Sequence, residues 1–401
     1  MPTFLTRILL QNYKSIARCD ITLGPLTFFV GPNGSGKSNL LDALRFTTEA
    51  LRTSLDHAMR DRGGINEVRR KSSGHPNHFG IRLHFQLLDG RDGHYSYRIA
   101  ARSSGGFVVQ QEECFINSAD ALGETTYFRL RNGEVESNLA SMPAPVGDRL
   151  YLVAVSGLRD FRPVYDALSR MGFYNLNPDS MKDVQSPDAG DVLTRDGSNL
   201  SSVVGRVRRD APERMTDIEE RLETIVSGVR GVGVKVIGPK ETLEFRQVVA
   251  GRTDPWRFLA ANMSDGTLRA LGILVALFQT SNSAPGIPLV GIEEPETALH
   301  PGASGTILSA LRDASLLAQV LVTSHSPDLL DDPSVDDEMI RAVIAEKAET
   351  VIGPVDVATR GALRDHLFTA GELLRTTEIR PDPEVVERVQ HEQMRLFGNG
   401  D

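Results

Sequence analysis

Eight residues, Gly31-Pro32-Asn33-Gly34-Ser35-Gly36-Lys37-Ser38, have the types and spacing of G-x-x-x-x-G-K-S, a pattern that cradles a triphosphate. Gly34 and Gly36 let the backbone come close enough to aim N–H groups at phosphate oxygens, and a helix N-terminus adds partial positive charge. Lys37 can reach the β- and γ-phosphates, and the Ser38 hydroxyl is placed to ligate Mg2+. A pair of carboxylates, Glu293 and Glu294, ends the apolar run Ile287-Pro288-Leu289-Val290-Gly291-Ile292. Glu293 is expected to hold Mg2+ directly or through water, and Glu294 to polarise the attacking water as general base or as orienter. His325 ends another β-rich run, from where it could reach the γ-phosphate.

The elements that must position these groups follow from periodicity. Leu26-Thr27-Phe28-Phe29-Val30 reads as a short strand into the glycine turn, and Asn39 to Phe46 has apolar residues at helical spacing. Strand, glycine turn and helix together are the context that the motif requires. The run before Glu293 reads as a fully buried strand of a parallel sheet, with its carboxylates at the end where open α/β sheets place ligands. Gln319 to Ser324 reads as a further strand. Ser264 is a good N-cap, and the apolar run Leu268 to Phe278 after it predicts a buried helix, too short and too interrupted by Arg269 to span a bilayer.

Between these parts, Phe4 to Leu10 and Ile16 to Leu23 read as strands, as do Phe79 to Leu88, His94 to Ala100 and Gly106 to Asn117. Tyr127 to Arg131 with Asn132-Gly133 reads as another hairpin. These predict an antiparallel sheet on one side of the nucleotide core. From Phe161 the character becomes helical: Val164 to Met171, Leu200 to Arg209 and Met215 to Val226, around a polar loop from Asn175 to Asn199. Val232 to Ile237 and Leu243 to Val249 form a strand pair. The expected divisions are 1–160, an N-terminal ATPase lobe with P-loop and antiparallel sheet; 161–231, a helical and loop insertion; 232–345, a C-terminal ATPase lobe; and 346–401, a C-terminal tail.

The 401 residues, 40% apolar and 24% charged with a formal charge of −9, describe an ordinary globular protein that does not coat nucleic acid indiscriminately. Local basic clusters remain at Arg69-Arg70-Lys71 and Arg206, Arg208 and Arg209. Cys19 and Cys114 lack metal spacing, so neither a zinc site nor a disulfide framework is expected. With no basic and apolar leader at the start, a cytoplasmic protein without membrane attachment is the expectation.

The four segments, in this order, resemble the ABC-type ATPase head of the RecF, SMC and OLD-like group. The likeness rests on Asn12-Tyr13-Lys14-Ser15 ahead of Gly31 to Ser38 with Asn39-Leu40-Leu41-Asp42-Ala43-Leu44. It rests equally on Met263 to Thr267, on Glu293-Glu294-Pro295-Glu296-Thr297-Ala298-Leu299-His300-Pro301, and on Thr323-Ser324-His325-Ser326. The fold implied is α/β: a P-loop NTPase of ABC-head type with a mixed central sheet, an added antiparallel β subdomain and a helical lobe.

The resemblance implies ATP hydrolysis with Mg2+, with ATP held by Gly31, Asn33, Gly34, Ser35, Gly36, Lys37, Ser38 and Asn39. Lys37, Glu294 and His325 would be catalytic, and Ser38 and Glu293 would hold the metal. Ser264 and Gly266 would contact the ATP of a second copy in a homodimer formed on ATP binding, with Thr297 to His300 communicating between the two sites. Two departures stand out. The signature reads Ser264-Asp265-Gly266, where an Asp replaces the usual first glycine and would repel a phosphate unless its side chain turns away, and Thr267 replaces the usual Gln or Glu. No magnesium-sensing glutamine is distinguished among Gln86, Gln110 and Gln111. By the likeness, the chain is a stand-alone ATPase of this group without a nuclease domain, acting in DNA maintenance or phage defence. It would contact DNA or regulate a separately encoded effector nuclease; a transporter subunit fits least.

Overall fold

Leu26–Val30 is buried at all five positions, as an apolar strand enclosed on both faces should be, and it delivers the chain into the glycine loop. The computed structural model describes residues 3–72, 74, 76–120, 123–249, 254–279, 286–376, 379–391 and 396–397. Two units divide the chain. The first comprises Met1–Met171, Asp336–Phe368 and Thr376–Asp401, and the second Gly172–Val335 and Thr369–Arg375.

In the first unit, Leu26–Val30 pairs in parallel with Ile340–Glu346, which pairs antiparallel with Glu349–Pro354. Part of the stretch read from the sequence as tail is therefore a strand beside the P-loop. A seven-stranded antiparallel sheet forms the rest, in the order Ile16–Thr22, Leu5–Tyr13, His78–Gln86, Asp92–Ala101, Phe107–Asn117, Thr126–Arg131, Glu134–Ser137. The last hairpin turns at Asn132 and Gly133, both at positive φ (48° and 89°), as a two-residue turn matched to strand twist requires. Leu5–Tyr13 and Ile16–Thr22 belong to this sheet, not to the P-loop sheet they precede in sequence.

The helix Lys37–Arg52 docks on the sheet through rings. Tyr13, Phe46 and Phe79 meet edge to face at 5.5–6.3 Å, and such pairs add about 1 kcal/mol each beyond area burial. The Thr47 hydroxyl meets the Tyr97 hydroxyl at 2.8 Å. Leu396 and Phe397 close over Leu9, so the C-terminal stretch also belongs to this core.

The second unit holds three parallel strands, Gly172–Tyr174, Leu289–Glu293 and Gln319–Ser324, with Leu289–Glu293 in the middle. The helix Asp265–Phe278 is buried from Thr267 to its end. Leu200–Asp210 and Pro212–Ile225 are the expected helices, the second started by a proline whose missing N–H costs nothing there. A three-stranded antiparallel sheet, Val229–Ile237, Lys240–Gln247 and Trp256–Leu259, completes the unit.

The polar stretch from Asn175 to Asn199 is ordered by its own side chains. Asn177 caps the helix Pro178–Lys182, while the Asn199 side chain accepts from Thr194 N–H and donates to the Asp188 carboxylate and Val192 carbonyl. Among the described residues, no helix is long and apolar enough to cross a membrane.

Candidate functional site

The glycine loop is shaped by close approach. A Cβ on Gly31 would stand 1.8 Å from the Val343 carbonyl oxygen, and one on Gly36 would stand 1.9 Å from Thr350 Oγ1. Gly34 and Gly36 sit at φ of 77° and 97°, where only glycine is unstrained. Gly36 is the N-cap of Lys37–Arg52, so the first N–H groups of that helix have no acceptor within it and face the loop. Lys37 is buried, and its ammonium donates to the Gly31 and Pro32 carbonyls at 2.8 and 3.0 Å. Ser35 Oγ is buried without a hydrogen-bond partner, whereas Asn33 and Ser38 are exposed.

A polar seam holds this loop from behind. Asn39 donates to Ser15 Oγ at 2.6 Å, Ser15 Oγ meets Thr350 Oγ1 at 2.6 Å, and Thr350 donates to the Ser35 carbonyl at 2.8 Å. Asn39 is thus engaged with the N-terminal hairpin. Asp42, one turn along the same helix, receives the Tyr13 hydroxyl and pairs with Lys14, Arg45 and Arg62. Burial alone would raise its pKa; the Arg62 guanidinium with Lys14 and Arg45 overcomes this and holds the carboxyl well below its usual range. The Asn12-Tyr13-Lys14-Ser15 turn, with Asn12 and Lys14 at positive φ, is therefore the bracket of the P-loop helix.

In the second unit, register aligns the ends of neighbouring strands: Glu293 pairs with Thr323, and Tyr174 with Ile292. Asn175 thus follows one step beyond, exposed beside the Glu293 position. None of Gln86, Gln110 and Gln111 lies in this unit.

Glu294 takes φ of 45°, a left-handed conformation uncommon for this residue type, and its N–H donates to the Thr323 carbonyl at 2.9 Å. His325 Nδ1 lies 3.4 Å from a Glu294 oxygen and 3.7 Å from Glu296 Oε1. Glu296 is the anchor here, accepting from the Ser324 hydroxyl and the His325 N–H at 2.8 and 3.2 Å.

Below the carboxylates lies Arg269, buried, which the sequence reading treated only as an interruption. Its guanidinium donates to the carbonyls of Leu176, Glu293 and Glu294 at 2.7, 3.2 and 2.9 Å. Burial pulls its pKa down from the ordinary value while Glu296, Glu294 and Glu293 oppose that. Arg195, on the polar loop, reaches Glu293 Oε1 at 2.9 Å.

Ser264 is exposed and caps the helix Asp265–Phe278, accepting from Thr267 N–H at 3.2 Å. A Cβ on Gly266 would stand 2.6 Å from the Ala298 carbonyl oxygen, so this glycine lets the helix meet the Thr297 to His300 loop. His300 Nδ1 accepts from Gly302 N–H at 3.0 Å, capping the turn after that loop. The Asp265 carboxylate is turned onto Lys182 Nζ at 2.5 Å.

A family model described as "AAA domain" matches residues 7–138, and one described as "AAA domain, putative AbiEii toxin, Type IV TA system" matches 157–331. The DNA replication and repair protein RecF of Vibrio vulnificus is 46% identical over 41 residues, 10% of this chain and 11% of that protein. The DNA double-strand break repair Rad50 ATPase of Halobacterium salinarum is 27% identical over 242 residues, 52% of this chain and 26% of that protein. The chain thus spans about a tenth of the length of the one and about a quarter of the other. An SMC head bound to the C-winged helix domain of ScpA shares the fold at TM-score 0.56 and 15% identity, covering 89% of this chain and 99% of that one. A second SMC head, with an extended coiled coil, from Pyrococcus furiosus, does so at 0.53 and 12%, covering 92% and 100%. The chain thus carries two AAA-domain matches, has the fold of an ABC-type ATPase head and is similar to the RecF and SMC group.

Proposed function

We propose that this chain is an ATP-hydrolysing switch that closes into a head-to-tail homodimer on ATP and opens after hydrolysis. The observation that carries the reading is the glycine cradle: the Val343 carbonyl and the Thr350 side chain stand where Gly31 and Gly36 could hold no side chain, around a buried Lys37 bonded to loop carbonyls. ATP phosphates would take the free N–H groups of the loop and helix end, and Lys37 would exchange carbonyl partners for phosphate oxygens.

The donor set fits Mg2+, a hard cation that takes oxygen ligands, few of them from protein: the Ser38 hydroxyl and the Glu293 carboxylate would hold it. When bound, it would supply charge neutralisation on the phosphates. Glu294 takes or orients the proton of the attacking water, and His325, held by Glu296 through its N–H, lies beside it. Ser264, exposed at a helix N-terminus, offers an anion-binding end to a second copy.

At that end, Lys182 cancels the charge of Asp265. Lys182→Ala should weaken ATP-dependent dimerisation, and adding Asp265→Gly should restore it, as read by the ATP concentration at half-dimer. Equal dimerisation of the single variant and the parent would count against this role.

What the switch acts on is read from its charges. Arg70 pairs with Glu349, Lys71 with Glu67, Arg206 with Asp191 and Asp210, Arg208 with Glu219 and Arg209 with Asp210, while Arg69 donates to the Pro76 carbonyl. These pairs partly neutralise both basic clusters, and pairs this exposed are weak and exchangeable. The target is then DNA, in repair or maintenance or phage defence, or as the second reading a separately encoded effector nuclease that the chain controls without touching DNA. One assay tests both levels: the purified chain should hydrolyse ATP with Mg2+, Lys37→Ala should not, and duplex DNA should stimulate turnover unless Arg206 and Arg208 are neutralised. Turnover that DNA leaves unchanged would point instead to the effector reading.

A further inference from the structure

We propose that Arg195 is a built-in counter-cation for Glu293, which it must release before a magnesium–nucleotide complex can settle, so that it sets the magnesium level at which the site loads. The inference rests on the ATPase reading above. Glu293 is largely buried, with its side chain 16% exposed, and Arg195 Nη2 meets its Oε1 at 2.9 Å. An enclosed carboxylate needs a cation, and Arg195 supplies one.

Two features make the contact exchangeable. The Arg195 side chain is 44% exposed, so its pair with Glu293 is of the weakly held, solvent-screened kind. Its backbone, by contrast, is fixed. The Arg195 carbonyl accepts from Asn175 N–H and the Asp196 carbonyl from Asn177 N–H, both at 2.9–3.0 Å. The Asp196 carboxylate accepts from the Ser198 N–H and the Thr194 hydroxyl, each at 3.1 Å. Only the side chain has to swing, and the loop stays in place.

The other cation in this group is differently employed. Arg269 is buried and binds main-chain carbonyls of Glu293 and Glu294, not their carboxylates, so it supports the segment without occupying a ligand oxygen. A guanidinium on one Glu293 oxygen and a dication on the other would stand a few ångströms apart, and their repulsion exceeds what a half-exposed ion pair contributes. One must leave.

The test separates magnesium dependence from nucleotide affinity. Binding of a fluorescent ATP analogue is titrated with magnesium, and again in EDTA, for the parent, Arg195→Ala and Arg195→Lys, with thermal melts to confirm folding. Arg195→Ala should lower the half-saturating magnesium by about two- to fivefold, the range of a partly exposed pair. It should leave analogue affinity in EDTA unchanged, and Arg195→Lys should stay close to the parent. Unchanged or raised half-saturation in Arg195→Ala overturns the proposal, as does weaker binding in EDTA, which would make Arg195 a phosphate ligand. If the parent itself binds no analogue in EDTA or magnesium, the ATPase reading falls, and this inference with it.

Discussion

Glu294→Gln should lower ATP turnover by about a hundredfold or more while ATP binding stays within about twofold of the parent. Gln keeps the size of the side chain and its place beside His325, but can neither accept a proton nor carry charge. The backbone at φ 45° is held by the Thr323 carbonyl and by Arg269, neither of which touches the substituted atom. A loss confined to kcat would place Glu294 in the chemical step. Turnover within threefold of the parent would remove it from catalysis and leave His325 or Glu296 as the group that handles water.

Arg269→Met should cost about 3 kcal/mol or more of stability, because three carbonyls lose a buried charged donor and the carboxylates of Glu293, Glu294 and Glu296 lose a buried cation that acts on them. The catalytic effect should exceed what unfolding explains. Without the guanidinium, Glu294 has less to hold it in a conformation uncommon for its type. Measured at a temperature where the variant remains folded, kcat should fall by about tenfold with little change in ATP affinity. Arg269→Lys, which keeps charge but cannot fork across three carbonyls, should recover part of the stability and less of the rate. A variant as stable as the parent would show that Arg269 is a spectator.

These two predictions draw on features of unequal visibility in the sequence. The glycine loop, the Glu strand and the Ser264 cap were legible because each is local: a turn needs glycine, a buried strand needs an apolar run, and a helix end needs an oxygen acceptor. The elements around them appeared with bounds shifted by a few residues, as with Leu200–Asp210 and His78–Gln86. What could not be read was pairing across the chain. Nothing local says that Glu349–Pro354 lies two strands from the P-loop strand, or that Leu5–Tyr13 joins the antiparallel sheet instead.

The supporting cations were hidden for the same reason. Arg269 resembled a flaw in an apolar helix, and its purpose shows only when the carbonyls of Glu293 and Glu294 lie against it. Arg195 and Lys182 sat in a stretch that composition marks as a polar loop, although Asn177, Asn199 and Asp196 tie that stretch into fixed turns. Asp265 looked like a defect of the signature until Lys182 was seen on its carboxylate.

The account depends on ATP being enclosed by two copies of the chain, each lending its Ser264 end to the other. Light scattering on Glu294→Gln with ATP and Mg2+ measures this directly. Twice the mass of a single chain, reverting to one on adding Ser264→Arg, is the predicted result. A single-chain mass with ATP demonstrably bound would contradict it.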